Sequence, residues 1–417
     1  MAEVIVVGGG LAGLVMARDL AEAGVTVTLL EASDHLGGTV ARHDVGGISL
    51  DAGAESFATR GGHVERLASI LGLGNEVVRP NPVGAWILQA DGTAHPIPKN
   101  TLLGIPGIPA ARDVTEILGA RAAFRASLDA LMPDFVGARS RTLGELVRTR
   151  MGAAVVERLV APIAGGVHST HPDELDLDRV APGLRSALRH TGALARAVRD
   201  LTSGAAAGSN VVGIRGGVVR IVDELVADLE RFGVDVRLGA RATAVAPGEV
   251  RVGGETLAGR VVVAASGLLG EAARGTDVTL VTLVVDEPRL DAAPRGTGVL
   301  VAPGAVGIRS KALTHATAKW PWLAERANGK HVLRLSYAAI EGDVKGVAIA
   351  DASAMLGMTI TAQSVVDTDS VTWTRPAPSV HAAEGIIVTG EAAAGTGLAA
   401  VVADAREQAG SLLQELR

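Results

Sequence analysis

Cysteine is absent from the 417-residue sequence. Disulfides, thiolate metal sites and cysteine nucleophiles are therefore excluded. Aromatic residues make up 2%, with one tyrosine, Tyr337. That is too few for a base-stacking nucleic-acid surface. Lysine is scarce too: five residues against 34 arginines, with a net charge of −6 and no long basic run. Neither a polyanion nor an anionic membrane surface fits such a chain as its main partner. No uninterrupted apolar run approaches the roughly 18–20 residues that span a bilayer. The apolar N-terminus has no basic leader and no small-residue cleavage site, and Glu3 precedes its apolar run. These absences lead to the expectation of a cytoplasmic protein with no stable membrane insertion and no nucleic-acid partner.

What is present is apolar residue, at 48%, and glycine, at 53 positions. The length suits two or three domains, and no repeat of 20–50 residues is visible. Val4–Val7 reads as a buried strand, Leu11–Ala23 as a helix closed by Gly24, and Val25–Leu30 as a second strand, in βαβ order. A helix is expected within Gly61–Gly72. Asp91-Gly92 marks a hairpin between Ala85–Leu88 and Ala94–Ile97. Pro96–Pro109 reads as loop, and about Asp113–Leu201 as helical, with a capping box at Thr142-Leu-Gly-Glu145. Val219, Val222, Leu225, Val226, Leu229 and Phe232 share one helical face, followed by a strand at Val234–Leu238. Val250–Val252 and Glu255–Leu257 flank Gly253-Gly254 as another hairpin, and Val261–Ala264 is a further buried strand. Val278–Tyr337 is mostly β. Ile386–Thr389 is a last strand before a helix at Leu398–Leu416.

The sequence from Gly8 to Gly13 is a G-x-G-x-x-G motif between strand and helix. Gly8 permits a tight turn, Gly10 lets the backbone approach a pyrophosphate, and Gly13 lets helix and strand pack closely. Leu11 and Ala12 open the helix, whose free N–H groups attract phosphate. Glu31, followed by Ala32, ends the second strand where a carboxylate can accept from ribose hydroxyls. This motif alone does not separate NAD from FAD. Gly37 and Gly38, followed by Thr39, resemble the glycine doublet of flavoproteins with two dinucleotide-binding motifs. Asp51–Phe57, with Gly53, Ala54, Glu55 and Ser56, resembles the next flavin-proximal segment. Gly390-Glu391 follows the last strand, and Gly397, Leu398 and Ala399 open another helix suited to the flavin's polar edge or ribityl chain. Taken in this order, the segments point to FAD. His168 and His171 stand three apart, but the glycines and Pro172 around them favour a structural loop over a metal pair.

With these motifs, four further segments make the chain resemble the protoporphyrinogen/coproporphyrinogen III oxidase family of the flavin amine-oxidase superfamily. They are Pro96–Pro106, Ala161–Leu175, Gly213–Gly217 and Ala312–Pro321. The resemblance covers nearly the whole chain and is nearest the soluble bacterial coproporphyrinogen III branch. It implies an α/β fold, α+β overall. A Rossmann-like FAD domain would take residues 1–65, 205–265 and 380–417, a β-rich substrate domain 66–98 and 266–379, and a helical insert 99–204. It also implies non-covalent FAD, with Ala242 among the cofactor residues. A tetrapyrrole would lose six electrons to O2 by hydride transfer to the flavin, and the product would pass transiently to a ferrochelatase. No general base is assigned.

Carboxylates of such a substrate need cationic partners when buried. Arg60, Lys99, Lys311, His315 and Lys319 are the candidates for substrate binding, lying in or beside the family-like segments. The chain departs from the family at Thr39, where an arginine is usual, and between Thr374 and Gly385, which is shorter than the loop and helix the family carries there. Protoporphyrinogen IX oxidation, another flavin amine-oxidase-type reaction, and a non-catalytic FAD or porphyrin binder remain open alternatives.

Overall fold

A computed structural model describes residues 3–168, 170–203, 211–265, 268, 275–375, 384–395 and 397–417, without the side chains of Glu3, Val167 and His168. The side chain of His168, residue Thr396 and most of the short Thr374–Gly385 connection thus lie outside the described residues. The chain divides into two compact units. One comprises Met1–Pro80, Asn210–Val278 and Val371–Arg417, the other Asn81–Ser209 and Thr279–Ser370.

The first unit is built on a parallel sheet whose strands run in the order Asp235–Arg237, Thr26–Leu30, Glu3–Val7, Arg260–Val263 and Ile386–Val388. Glu3–Val7 lies at its centre, paired on either side with Thr26–Leu30 and Arg260–Val263. Side chains alternate between the two faces of a strand, and both faces are covered. Val4, Val6, Val27, Leu29 and Val262 meet the helices Leu11–Glu22, His63–Ile70, Arg220–Arg231 and Leu398–Glu415. Ile5, Val7, Leu30, Val261 and Val263 meet the antiparallel strands Ala242–Ala246, Glu249–Val252 and Glu255–Ala258. Burial on both sides explains why the central strands read as continuous apolar runs. Arg18, only 3% exposed, donates to Asp228 at 3.0 Å and so ties the first helix to Arg220–Arg231.

The second unit contains most of a seven-stranded sheet. Its order is Val365–Arg375, Thr276–Val285, His331–Tyr337, Ala312–His315, Gly298–Val301, Trp86–Leu88 and Ala94–Pro96. Helix Val344–Leu356, capped by the Asp343 side chain accepting from Gly346 N–H at 2.9 Å, packs on one face. The helical region of this unit is organised by a buried ion pair. Arg150 is wholly buried and donates to Asp129 and to the carbonyls of Pro133, Val136 and Gly192. Asp129 in turn accepts from the N–H groups of Leu194 and Ala195 at 3.1 and 2.8 Å. Every strong donor and acceptor is thus paired, as burial of two charges demands.

Three local expectations change. Pro96–Pro109 is not all loop, because Thr101–Leu102 and Ile105–Pro106 pair as a small hairpin. The β region between Val278 and Tyr337 is interrupted by the helices Ala316–Lys319 and Pro321–Ala327, the second with Pro321 in its first turn, where a missing N–H costs nothing. At Thr142 the capping box is offset. Thr142 accepts from Glu145 N–H, but the Glu145 carboxylate reaches the N–H of Arg141 instead of Thr142.

Candidate functional site

In the first unit the glycine-rich turn opens onto a cavity of about 440 Å³. Each glycine of the turn has a distinct steric reason. Gly8 has a φ of +108°, and its N–H donates to Leu30 C=O at 2.8 Å. A Cβ on Gly13 would stand 1.9 Å from the Gly8 carbonyl oxygen, so only hydrogen fits between helix and turn. A Cβ on Gly10 would meet no atom of the described residues within 4 Å, because Gly10 faces the cavity. Gly10 also precedes helix Leu11–Glu22 with no side-chain cap, and the first turn carries no acidic residue. Its N–H groups have no partners within the helix and favour an anion.

Glu31 is tied to this turn. Its Oε2 accepts from Gly9 N–H at 2.7 Å, and its Oε1 accepts from Ser33 N–H and Oγ at 2.7 and 2.8 Å. Partial burial works to raise its pKa, but the hydrogen bonds from Ser33 and Gly9 outweigh it and hold the carboxyl below its ordinary value. The glycine doublet packs on the same turn. Gly37 N–H donates to Gly9 C=O at 2.8 Å, and a Cβ on Gly38 would stand 3.3 Å from Gly10 Cα. Gly53 contacts this layer in turn, since its Cβ would meet the Thr39 carbonyl oxygen at 2.5 Å. Asp51 anchors the segment by accepting from Val218 and Val219 N–H at 3.0 and 2.9 Å.

Among the residues singled out in the sequence, Gly8, Gly10, Leu11, Ala12, Glu31, Ala32, Gly37, Gly38, Thr39, Ala242, Glu391 and Leu398 line the cavity. Gly13, Gly53, Ala54, Glu55, Ser56, Gly390, Gly397 and Ala399 do not. Gly13 and Gly53 sit behind the wall as packing positions. Arg241, Ala264, Ala265, Thr374 and Thr389 line the cavity without having been singled out. Thr374 lies near the end of strand Val365–Arg375 and the others follow strands, none with a motif of its own, so only the tertiary arrangement brings them here. Burial raises the pKa of Glu391, against the pull of Arg375. None of the described lining residues is a histidine, cysteine or tyrosine.

The candidate substrate-binding cations scatter. Lys311 lines a cavity of about 300 Å³ in the second unit, together with Arg309, His171 and an apolar wall that includes Val301, Ala302 and Ile308. Buried Asp351 accepts from the N–H groups of Arg309 and Ser310 at 3.1 and 2.8 Å and so fixes the loop that carries these cations. Lys319 instead places its ammonium 5.0 Å from the Trp320 ring centroid. Lys99 and Arg60 are exposed and line none of the described cavities. His315 requires a correction. It is 1% exposed, and burial followed by the neighbouring His331 lowers its pKa to about 4, so it offers no cation at neutral pH. No group of three or more His, Asp or Glu that could hold a metal occurs among the described residues, and no described helix is long and apolar enough to cross a membrane.

Residues 11–270 match the family of flavin containing amine oxidoreductases. The coproporphyrinogen III oxidase of Mycobacterium leprae is 30% identical over 389 residues, which cover 85% of this chain and 83% of that protein. The chain belongs to the flavin amine oxidoreductase family. Within it, the porphyrinogen oxidases are its relatives. The coproporphyrinogen III oxidase of Bacillus subtilis is 31% identical over 43% of this chain and 39% of its own length. A structure from Exiguobacterium sp. 255-15, provisionally named a protoporphyrinogen oxidase, shares the fold with a TM-score of 0.84 over 99% of both chains, at 24% identity. Putrescine oxidase shares it with a TM-score of 0.68 over 99% of both chains, at 15% identity. Family membership brings a flavin cofactor. The residues of the first cavity fit one: open space at Gly10, an uncapped helix N-terminus, and an ionised Glu31 at the end of the second strand.

Proposed function

We propose that this chain binds FAD non-covalently in the first cavity and oxidises coproporphyrinogen III to coproporphyrin III, with O2 as acceptor, in haem biosynthesis in the cytoplasm. The open space at Gly10 carries the cofactor part. A glycine whose added Cβ touches no described protein atom, beside helix-start N–H groups with no partners within the helix, is a place for pyrophosphate. Glu31 would hold a ribose hydroxyl, and Glu391 and Leu398 the far end of the cofactor. Tethering would need a nucleophilic side chain, and the described lining residues include no histidine, cysteine or tyrosine.

Bound flavin supplies a hydride acceptor for a meso carbon of the substrate. The chain's own part is to position the macrocycle and pair its carboxylates. Arg309 and Lys311, held over an apolar wall, are the propionate partners this reading favours. It assigns the cofactor to the first unit and the tetrapyrrole to the β-rich and helical second unit. The product would pass transiently to a ferrochelatase.

The test is direct. The purified protein is denatured, and FAD should appear in the supernatant. Coproporphyrinogen III and protoporphyrinogen IX are then supplied side by side, and porphyrin fluorescence is followed. Faster oxidation of the four-carboxylate substrate is expected. Equal or faster oxidation of protoporphyrinogen IX would reassign the substrate. Flavin binding without turnover of either would leave a non-catalytic binder.

A further inference from the structure

In the second unit strand Ala312–His315 ends on a histidine and strand His331–Tyr337 begins on one. The antiparallel register pairs His315 with Leu333. Residues 331 and 333 share a face, so His331 becomes the diagonal neighbour of His315. The rings meet edge to face with centroids 5.2 Å apart, and His315 Nε2 lies 3.1 Å from His331 Nδ1. Both are buried, at 1% and 7% exposure. On its outer side His331 Nε2 lies 3.2 Å from Oδ1 of Asp291, whose side chain is 75% exposed. That approach is within ion-pair range but is not aligned as a hydrogen bond in this rotamer. On the inner side, His315 Nδ1 has no hydrogen-bond partner among the described residues. Both rings line a cavity of about 350 Å³ with Asn81, Thr317 and Lys330.

The charge state follows from burial, which lowers the pKa of both rings. For His331 this outweighs the nearby carboxylates of Asp291, Asp286 and Glu287. Each ring is therefore neutral at pH 7 and carries one N–H. The Asp291 carboxylate can only accept, so once its exposed side chain turns into line with His331 Nε2 it selects the Nε2–H tautomer of His331 and leaves Nδ1 a lone pair. That lone pair accepts from His315 Nε2–H. His315 Nδ1 is then also a lone pair, a buried acceptor with no donor among the described protein groups. Such a group is costly to leave unpaired, and a donor that enters the cavity, a ligand N–H or O–H or a water, is what would satisfy it.

We propose that this cavity is a proton-relay site, taking a small ligand through its N–H or O–H donor to His315 Nδ1 and carrying that proton through His331 to Asp291 and solvent. In the step, the ligand X–H bond breaks as His315 Nδ1–H forms. The Nε2 proton of His315 moves to His331 Nδ1, and the Nε2 proton of His331 moves to the Asp291 carboxylate, which releases it to water. No electrons move, and no imidazolium persists in the interior. The link to the porphyrinogen reading rests on that reading: a pyrrole N–H is such a donor, and it becomes acidic when the adjoining carbon loses hydride.

The experiment uses the full-length flavin-loaded protein with ¹⁵N-labelled histidine, and pyrrole and N-methylpyrrole as probes. Two-bond nitrogen–proton spectra at neutral pH should show the Nε2–H tautomer at both histidines. Pyrrole should move the His315 Nδ1 resonance upfield. N-methylpyrrole, nearly the same shape without the donor, should leave it in place. His315→Phe should lose the pyrrole response. Asp291→Leu, at an exposed position, should mix the tautomers and weaken the response. An Nδ1–H tautomer at His315, equal shifts from the two probes, or an Asp291→Leu variant indistinguishable from wild type overturns the relay. None of these readouts depends on turnover, so a failure to oxidise porphyrinogens leaves them intact.

Discussion

The carboxylate of Glu31 accepts a 2.7 Å hydrogen bond from the backbone N–H of Gly9. The acidic end of the second strand is therefore a strut of the glycine turn as well as a candidate ribose ligand. Glu31→Ala is expected to lower FAD affinity by about ten- to a hundredfold, since a hydrogen bond to a charged group contributes about 1.5–3 kcal/mol. Fluorescence titration of apoprotein with FAD measures it, and an unchanged affinity would remove Glu31 from the site. The pH dependence has a definite sign. The folded pKa lies below the ordinary 4.5, so the contribution is present above 4.5 and is lost as pH falls through the lower folded value. FAD affinity should hold steady down to mildly acidic pH and fall only beyond it.

Gly10 and Gly13 should fail in different ways. Gly13→Ala drives a methyl into the Gly8 carbonyl and should cost about 1–3 kcal/mol or more of stability through overpacking. Gly10→Glu meets no described protein atom at Cβ, so thermal unfolding of the apoprotein should move little while FAD binding is lost. If both variants lose stability equally, Gly10 is a packing position and not a cofactor wall.

Lys311 and Lys319 should also part company. Lys311 lines the cavity with Arg309, whereas Lys319 stands over Trp320. Lys311→Met is expected to cost roughly tenfold in kcat/KM for coproporphyrinogen III, and less for protoporphyrinogen IX, because one charge-assisted contact is removed. Lys319→Met should leave the ratio between the two substrates unchanged. Comparing both substrates at matched flavin content decides it. A Lys311→Met variant with an unaltered ratio defeats the propionate assignment.

Asp129→Ala would leave the fully buried Arg150 guanidinium without its carboxylate and orphan the N–H groups of Leu194 and Ala195. Breaking a buried pair from one side costs about 3–5 kcal/mol. A large fall in thermal unfolding temperature is expected, with loss of helical circular dichroism from the second unit first. A variant as stable as wild type would mean that solvent reaches Arg150.

Tyr337 allows a check with no substitution. It is the only tyrosine, and burial, followed by the nearby charge of Asp351, raises its phenol well above the usual 10.0. The folded state keeps its proton where the unfolded state loses it, so stability should fall as pH rises past 10. Tyrosinate absorbance should appear only with unfolding, and smooth ionisation near pH 10 in the native protein would show the ring to be accessible.

The sequence by itself determined what local rules govern. The βαβ unit from Glu3 to Leu30, the hairpins at Asp91-Gly92 and Gly253-Gly254, and the glycines that the turn cannot replace follow from periodicity and steric size within short stretches. The ordered segments from Gly8 to Ala399 also carried the family resemblance. Tertiary structure alone decided which of those residues wall the cavity and which stand behind it, as with Gly10 against Gly13. It brought Arg241 and Thr389 to the cavity by sheet order, and it separated Lys311 from Lys319, which lie beside and within one family-like stretch of chain. It also turned His315 from a candidate cation into a neutral ring beside His331, sixteen residues away. The reason is physical. Charge state and steric access depend on what a side chain is buried against, and the partners come from strands and helices far apart in the chain, which no local pattern encodes.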